Sequence, residues 1–471
     1  MYFHSGNFFI FFIALIIPFL LLRKRRALIL AIANAVFYAV AGIGPLFQFF
    51  LMTLITFAIV HVMQRPKLRW LFYLGIILNL FNLAFFKYFL LAISTLESMT
   101  GVQFLHLESY ASTIILPLGI SFYTFEFISY LIDVRRGHTK PTKSLISFWV
   151  FVSMFPHLIA GPIMRGDELI PQLEQLKEKR IGWQEIKYGV YLFMIGLCKK
   201  LLLADPLAQI ADRLFAHPES LSAVDSWIAA YTFCFQIYFD FSAYSDMALG
   251  LGYILGVKLM INFNTPYLSN NPTEFWRRWH ITLSRWIKDY IYIGLGGNRR
   301  GVVRAYINLF AAMVLSGLWH GAMWTFVLWG AIHGAALMLH KLSLGLNRWP
   351  SIASIRKSWI YRVVTVIIFF QWITWTWVFF RVTNIQQAFA MSRRMLHVNI
   401  GALLQHPSTI WIALLLLLHL VEYLLRHNES AINRWWHDVP FPLRGASYAC
   451  LTFVLIYFMQ GETYNFIYFQ F

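Results

Sequence analysis

The stretch Phe8-Phe9-Ile10-Phe11-Phe12-Ile13-Ala14-Leu15-Ile16-Ile17-Pro18-Phe19-Leu20-Leu21-Leu22 is apolar, and Arg23-Lys24-Arg25-Arg26 follows it at once. A signal peptide has the reverse order, with positive charge before the apolar run and a small-residue cleavage site after it. The order here predicts a retained first span whose C-terminal end faces the cytoplasm. The same alternation continues outward from this stretch. Further apolar blocks run through roughly 27–45, 46–63, 70–93, 112–133, 145–160, 184–203, 226–259, 304–342, 359–380, 408–425 and 446–460. At about 20 residues per crossing, they predict ten to thirteen helices, some of them re-entrant. Spanning segments must satisfy their backbone hydrogen bonds internally, and barrel-like strand alternation is absent. The expected fold class is all-α: a polytopic membrane protein, with residues 1–471 as one integral membrane domain. No internal repeat or transporter-like half is visible.

Composition agrees. Of 471 residues, 59% are hydrophobic and 13% charged, against about 45–50% and about 25% in soluble domains. A soluble enzyme and a disordered scaffold are excluded. The balance of 39 basic and 21 acidic residues gives a net charge of +18. These basic residues lie between apolar spans, not along one face, which predicts the lipid bilayer as partner and no nucleic acid. Four clusters are expected in the cytoplasm: Arg65, Lys67 and Arg69; Arg135, Arg136, Lys140 and Lys143; Lys177, Lys179 and Arg180; and Arg277 to Arg300. The three cysteines, Cys198, Cys234 and Cys450, have neither CxxC nor Cys–His spacing, so no disulfide framework or metal site is expected.

The longest polar stretch, about 261–303, is where chemistry is expected, as a cytosolic or interfacial basic segment. In Asn270-Asn271-Pro272-Thr273-Glu274, Asn271 suits an N-cap, Pro272 the first helical position, and Glu274 a capping box. The helix predicted to follow places Trp276, Trp279, His280, Leu283, Trp286, Ile287 and Tyr290 on one face. Arg277, Arg278, Arg285 and Lys288 lie mostly on the other. One reading is an interfacial helix with tryptophan at headgroup depth. The other adds a phosphate-rich ligand held by the arginines, whose forks bind phosphate oxygens in pairs, with His280 pointing inward.

Farther on, Leu315-Ser316-Gly317-Leu318-Trp319-His320-Gly321-Ala322 lies inside an apolar run. A histidine within a membrane segment is a functional candidate, and histidine suits proton transfer near neutral pH. The alternative is a helix-packing histidine. Small neighbours allow a substrate or another helix to approach. His333, 13 residues on, is about 220° away around a straight helix and reads as structural. Asp240 and Asp246, six residues apart, sit about 240° apart on a helix; they are expected to anchor helices or bind arginines. The two prolines and glycine within Phe155–Arg165 predict a re-entrant break flanking a tunnel. Gly294-Leu295-Gly296-Gly297-Asn298 is too short for a dinucleotide fingerprint.

At these residues the chain resembles the membrane-bound O-acyltransferase superfamily, and within it the membrane subunits of bacterial alginate O-acetylation. The matching stretches are Leu116 to Tyr123, Phe155 to Pro162, Tyr238 to Leu249, Glu274 to Ser284, Leu295 to Arg299, Gly317 to Gly321, and the closing Tyr468-Phe469-Gln470-Phe471. They span nearly the whole chain, most weakly over about 342–460. The resemblance implies a ring of helices around a thin centre with a cytosolic opening. It puts the family's essential histidine on His320 and its second recurrent polar position on His280. It also implies acetyl-CoA as acetyl donor, its phosphates near Arg277, Arg278, Arg285 and Lys288, and no permanently bound cofactor. His320 would act as general base or take the acetyl group itself. The implied setting is the bacterial inner membrane, with periplasmic acetyltransferase or accessory proteins of a polysaccharide acetylation complex as partners. Acetylation of peptidoglycan or cellulose, D-alanylation of teichoic acid, and a non-catalytic acetyl-carrier transporter are the alternatives.

Overall fold

The computed structural model describes residues 1–102, 116–428, 431, 435–436, 438–459, 464 and 466–467. The start of the 112–133 block and the closing Tyr468-Phe469-Gln470-Phe471 lie outside them. Helices make up the secondary structure, with no strand among the described residues. Among the described residues, seven helices are long and apolar enough to cross a membrane, or eight if one bent pair counts as a span. Their outward residues include Ile360, Ile367, Ile368, Ile410, Trp411 and Leu417, all exposed. Apolar surface on that scale calls for lipid. By internal contacts the chain forms two compact units, residues 1–195 with 244–261 and residues 196–243 with 262–471.

In the first unit, the expected first span is one arm of the bent pair. Gly6–Leu21 has 16 residues and rises about 24 Å, short of the about 30 Å of a hydrocarbon core. After the Arg23–Arg25 turn, the chain leaves at 116° into Arg26–Ala39. Arg26 is responsible for much of this corner, since it is buried rather than solvated. Its Nε donates to the Phe19 carbonyl at 3.1 Å and its Nη1 to the Lys179 carbonyl at 2.7 Å. Phe19 belongs to the last helical turn, whose carbonyls lack intrahelical partners.

The expected break after Phe155 is present. The Leu145–Ser153 helix stops, and the chain turns until Gly166–Gln175 begins. The buried side chain of Asn34 holds this irregular backbone, accepting from the Phe155 N–H at 3.2 Å and donating to Ser153 Oγ at 3.1 Å. Gly161 is needed for close approach, because a Cβ there would stand 2.3 Å from the His157 Cα. His157 Nδ1 meets Glu126 Oε1 at 3.2 Å, and the same oxygen accepts from the Met164 N–H.

The second unit is built around a helical hairpin, Val302–His320 and Trp324–Ser343. The two helices touch backbone to backbone at Gly317 and Gly330. A Cβ on Gly317 would lie 2.2 Å from the Phe326 carbonyl oxygen. The small residues thus admit another helix. Trp359–Arg381 packs on the hairpin through Trp377 on Trp329 and Phe380 on Phe326. The glycine loop 294–297 is held by Asn308, whose Nδ2 donates to the Gly297 carbonyl at 3.0 Å. Asp240 takes a lysine rather than an arginine: Lys200 Nζ lies 2.6 Å from it and 2.9 Å from Asp205.

Candidate active site

His320 is the last residue of its helix, and the chain reverses through Gly321 and Ala322 into the next. Gly321 is required by space, since a Cβ would overlap the Phe326 ring at 2.1 Å. The hairpin thereby fixes where His320 stands. Its imidazole is 3% exposed. The rings of Trp319, Trp329 and Phe380 surround it, with centroids 5.0, 5.3 and 5.3 Å away. His333 touches the same Trp329 ring at 4.5 Å and is wholly buried among Phe275, Trp276 and Trp372.

The 261–303 segment brings His280 to the same place. The His280 and His320 ring centroids are 6.4 Å apart, and His280 also meets Trp319 at 5.9 Å and Phe241 at 4.8 Å. The helix expected over this stretch is interrupted. Pro272–Trp276 and Ile281–Trp286 are separate helices, and His280 between them adopts φ 42, ψ 55. Among the described non-glycine residues, only Thr265 shares a positive φ. Such backbone costs on the order of 1–3 kcal/mol and persists where its surroundings over-determine it.

Asn262 does this. Its carbonyl accepts from the Ile281 N–H at 3.0 Å. Its Oδ1 accepts from the Thr282 N–H at 3.2 Å and the Thr282 hydroxyl at 3.0 Å, and faces His280 Nδ1 at 3.2 Å. The backbone N–H identifies that atom as the oxygen, so Nδ1 carries the proton and Nε2 the lone pair. Burial pushes the His280 pKa down to about 3, because a charged ring here would lose its solvation. His280 is therefore a neutral imidazole in one tautomer.

The break leaves the expected face intact. Trp276, Trp279, His280, Leu283, Trp286, Ile287 and Tyr290 are all buried. The tryptophans pack inside protein, Trp279 against Phe275 and Trp377, rather than anchoring at headgroup depth. Asn271 caps as expected, its Oδ1 accepting from the Glu274 N–H at 2.8 Å. The reciprocal half of the box differs: Glu274 accepts from the Asn270 N–H and holds Arg278 Nη2 at 2.7 Å. Of the basic residues, Arg277 and Lys288 are exposed, while Arg278 and Arg285 are partly buried.

Sequence reading passed over a second polar knot in this unit. Glu422 is within 2.6 Å of both Lys199 Nζ and the Tyr238 hydroxyl, and within 3.0 Å of Arg426. The available signal was an ionisable residue inside each of two apolar blocks, which is unusual at membrane depth. Asn262 offered no comparable signal.

A sequence model of the membrane-bound O-acyltransferase family matches residues 136–383, which include both histidines. The chain is 42% identical over 380 residues to the probable alginate O-acetylase AlgI of Pseudomonas aeruginosa, covering 79% of this chain and 70% of that one. It is 40% identical over 405 residues to the probable alginate O-acetylase AlgI of Azotobacter vinelandii, covering 84% and 78%. It is also 38% identical over 392 residues to the peptidoglycan O-acetyltransferase of Helicobacter pylori, covering 78% and 70%. With its many apolar helices and its hairpin-mounted histidine, the chain belongs to the membrane-bound O-acyltransferase family and is a multi-pass membrane O-acyltransferase.

Proposed function

We propose that this protein passes acetyl groups from cytosolic acetyl-CoA across the bacterial inner membrane for O-acetylation of an exopolysaccharide of the alginate type. The observation that carries this reading is the pair of buried histidines, His320 and His280, with rings 6.4 Å apart in a wall of aromatic side chains. In the reaction, His320 removes the proton from the acceptor hydroxyl as its oxygen attacks the thioester carbonyl. The carbon–sulfur bond breaks, and the leaving thiolate takes up the proton to give free CoA and the acetyl ester. If His320 first takes the acetyl group itself, the same atoms are exchanged in two steps. His280, neutral and held by Asn262, positions the thioester or its pantetheine arm. Arg277, Arg278, Arg285 and Lys288 supply the cationic surface for the CoA phosphates. The acetyl group leaves on the periplasmic side to an acetyltransferase or accessory protein of a polysaccharide acetylation complex.

The alginate assignment follows relatives named alginate O-acetylase, while the Helicobacter pylori relative favours peptidoglycan as the second reading. Replacing His320 with Ala is expected to abolish polymer acetylation with the protein still in the membrane. In purified protein the same variant should lose acetyl-CoA turnover. Normal acetyl content in the variant overturns the assignment. Binding of acetyl-CoA without thioester cleavage in the parent protein indicates transport instead. Comparing acetyl esters on exopolysaccharide and on peptidoglycan in the His320→Ala strain identifies the acceptor.

A further inference from the structure

Outside the histidine site, the first unit holds a cavity of about 760 Å³, within the size range of small-ligand sites. Its lining draws on three basic clusters that are far apart in sequence. Lys24 comes from the charge run after the first apolar helix, Lys140 and Lys143 from the loop after Ile120–Arg136, and Lys177 from the end of Gly166–Gln175. These four lysines outnumber two lining carboxylates, Asp167 and Glu174. Glu174 is engaged, accepting from Thr142 Oγ1 at 2.6 Å. The Thr139 hydroxyl oxygen is buried at this lining with no hydrogen-bond partner among the described residues. Ser144, which caps the Leu145–Ser153 helix, lines the cavity as well, adding the positive end of a helix dipole.

Ammonium groups on the lining of one cavity repel one another, and among the described residues none of the four pairs with a carboxylate of the lining; Lys177 meets Glu178 at 3.9 Å. A compact group with several anionic oxygens relieves that repulsion. We propose that this cavity binds a phosphate ester. The chemistry is shared by two sources: the headgroup of an anionic lipid, and the ribose phosphate end of a soluble nucleotide. The nucleotide source rests on the acetyl-CoA reading, whereas the lipid source is independent of it.

Binding can be measured on the full chain with probes that carry no thioester, so the result does not depend on catalysis. One arm titrates adenosine 3′,5′-bisphosphate against protein in phosphatidylcholine nanodiscs. The other measures enrichment of phosphatidylglycerol around the protein in mixed nanodiscs. The variants are Lys140→Gln with Lys143→Gln, and Lys24→Gln with Lys177→Gln. All four side chains are exposed, so these proteins are expected to fold. Each pair should weaken one probe by about tenfold, as expected for a lost charge-assisted contact, and added salt should shrink the effect. Loss for the bisphosphate identifies the nucleotide, and loss for phosphatidylglycerol the lipid. Lys67→Gln, on a different exposed loop, should change neither. Unchanged binding of both probes in both pairs overturns the proposal, as does an equal loss in Lys67→Gln.

Discussion

His280 holds a left-handed backbone although it is not glycine, and the carbonyl and side chain of Asn262, 18 residues earlier, both brace it. Asn262 is buried and spans the helix start at Thr282 and the imidazole at once. Replacing Asn262 with Ala should release the loop and misplace His280. Displacement of about 1 Å costs up to roughly 100-fold in rate, so kcat for acetyl transfer should fall by about 10- to 100-fold while KM moves less. Asn262→Asp keeps the accepting oxygen and should recover part of that loss. Equal activity in the parent and Asn262→Ala would show that His280 needs no such support. His320 was legible because an imidazole in an apolar run is unusual, and His280 because the helical spacing put it on the apolar face of its segment. Asn262 was not, since one asparagine in a polar stretch resembles any loop residue. Only its contacts reveal its role.

At the scale of elements, the hairpin that carries His320 depends on backbone contact between Gly317 and Gly330. Gly317→Ala would push a methyl group to 2.2 Å from the Phe326 carbonyl oxygen. Backbone cannot turn away as a side chain can, so the helices must separate. Overpacking of this kind costs typically 1–3 kcal/mol. Thermal unfolding in detergent should show a clear drop for Gly317→Ala. Gly345→Ala serves as control, because a Cβ there meets nothing within 4 Å. Unfolding of both at the parental temperature would remove the hairpin contact from the stability argument. Small residues beside His320 were visible in the sequence, but not whether a helix or a substrate would use the space. The helix over 272–290 shows the opposite case. Its 3.6-residue pattern identified the buried face, but nothing periodic marks the break between Trp276 and Ile281, where Asn262 braces the His280 backbone from outside the helix.

For the whole molecule, composition required a membrane, because so few charged residues cannot cover a water-facing surface, and long apolar blocks without strand alternation required helices. Charge placement was harder to read. Lys24 and Lys177 look unrelated along the chain yet line one cavity, while Arg26, the last of the charge run after the first apolar stretch, is buried in carbonyl contacts. The same sorting applies to the basic residues of 277–288. Arg278 is engaged by Glu274, so Arg277 and Lys288 are the exposed cations of that segment. Since the tryptophans of the opposite face are packed into protein, these two side chains are not required to hold a membrane anchor. Replacing Arg277 and Lys288 with Gln should therefore leave folding intact and raise KM for acetyl-CoA with little change in kcat, the mark of lost uniform binding. A charge-assisted contact of about 1.5–3 kcal/mol corresponds to roughly 10- to 150-fold. Solvent and salt at this surface place the expected rise near the lower end, about tenfold, shrinking as ionic strength increases. Initial rates against acetyl-CoA at low and high salt measure both quantities, and a folded double variant with parental KM at low salt would remove these residues from the phosphate site.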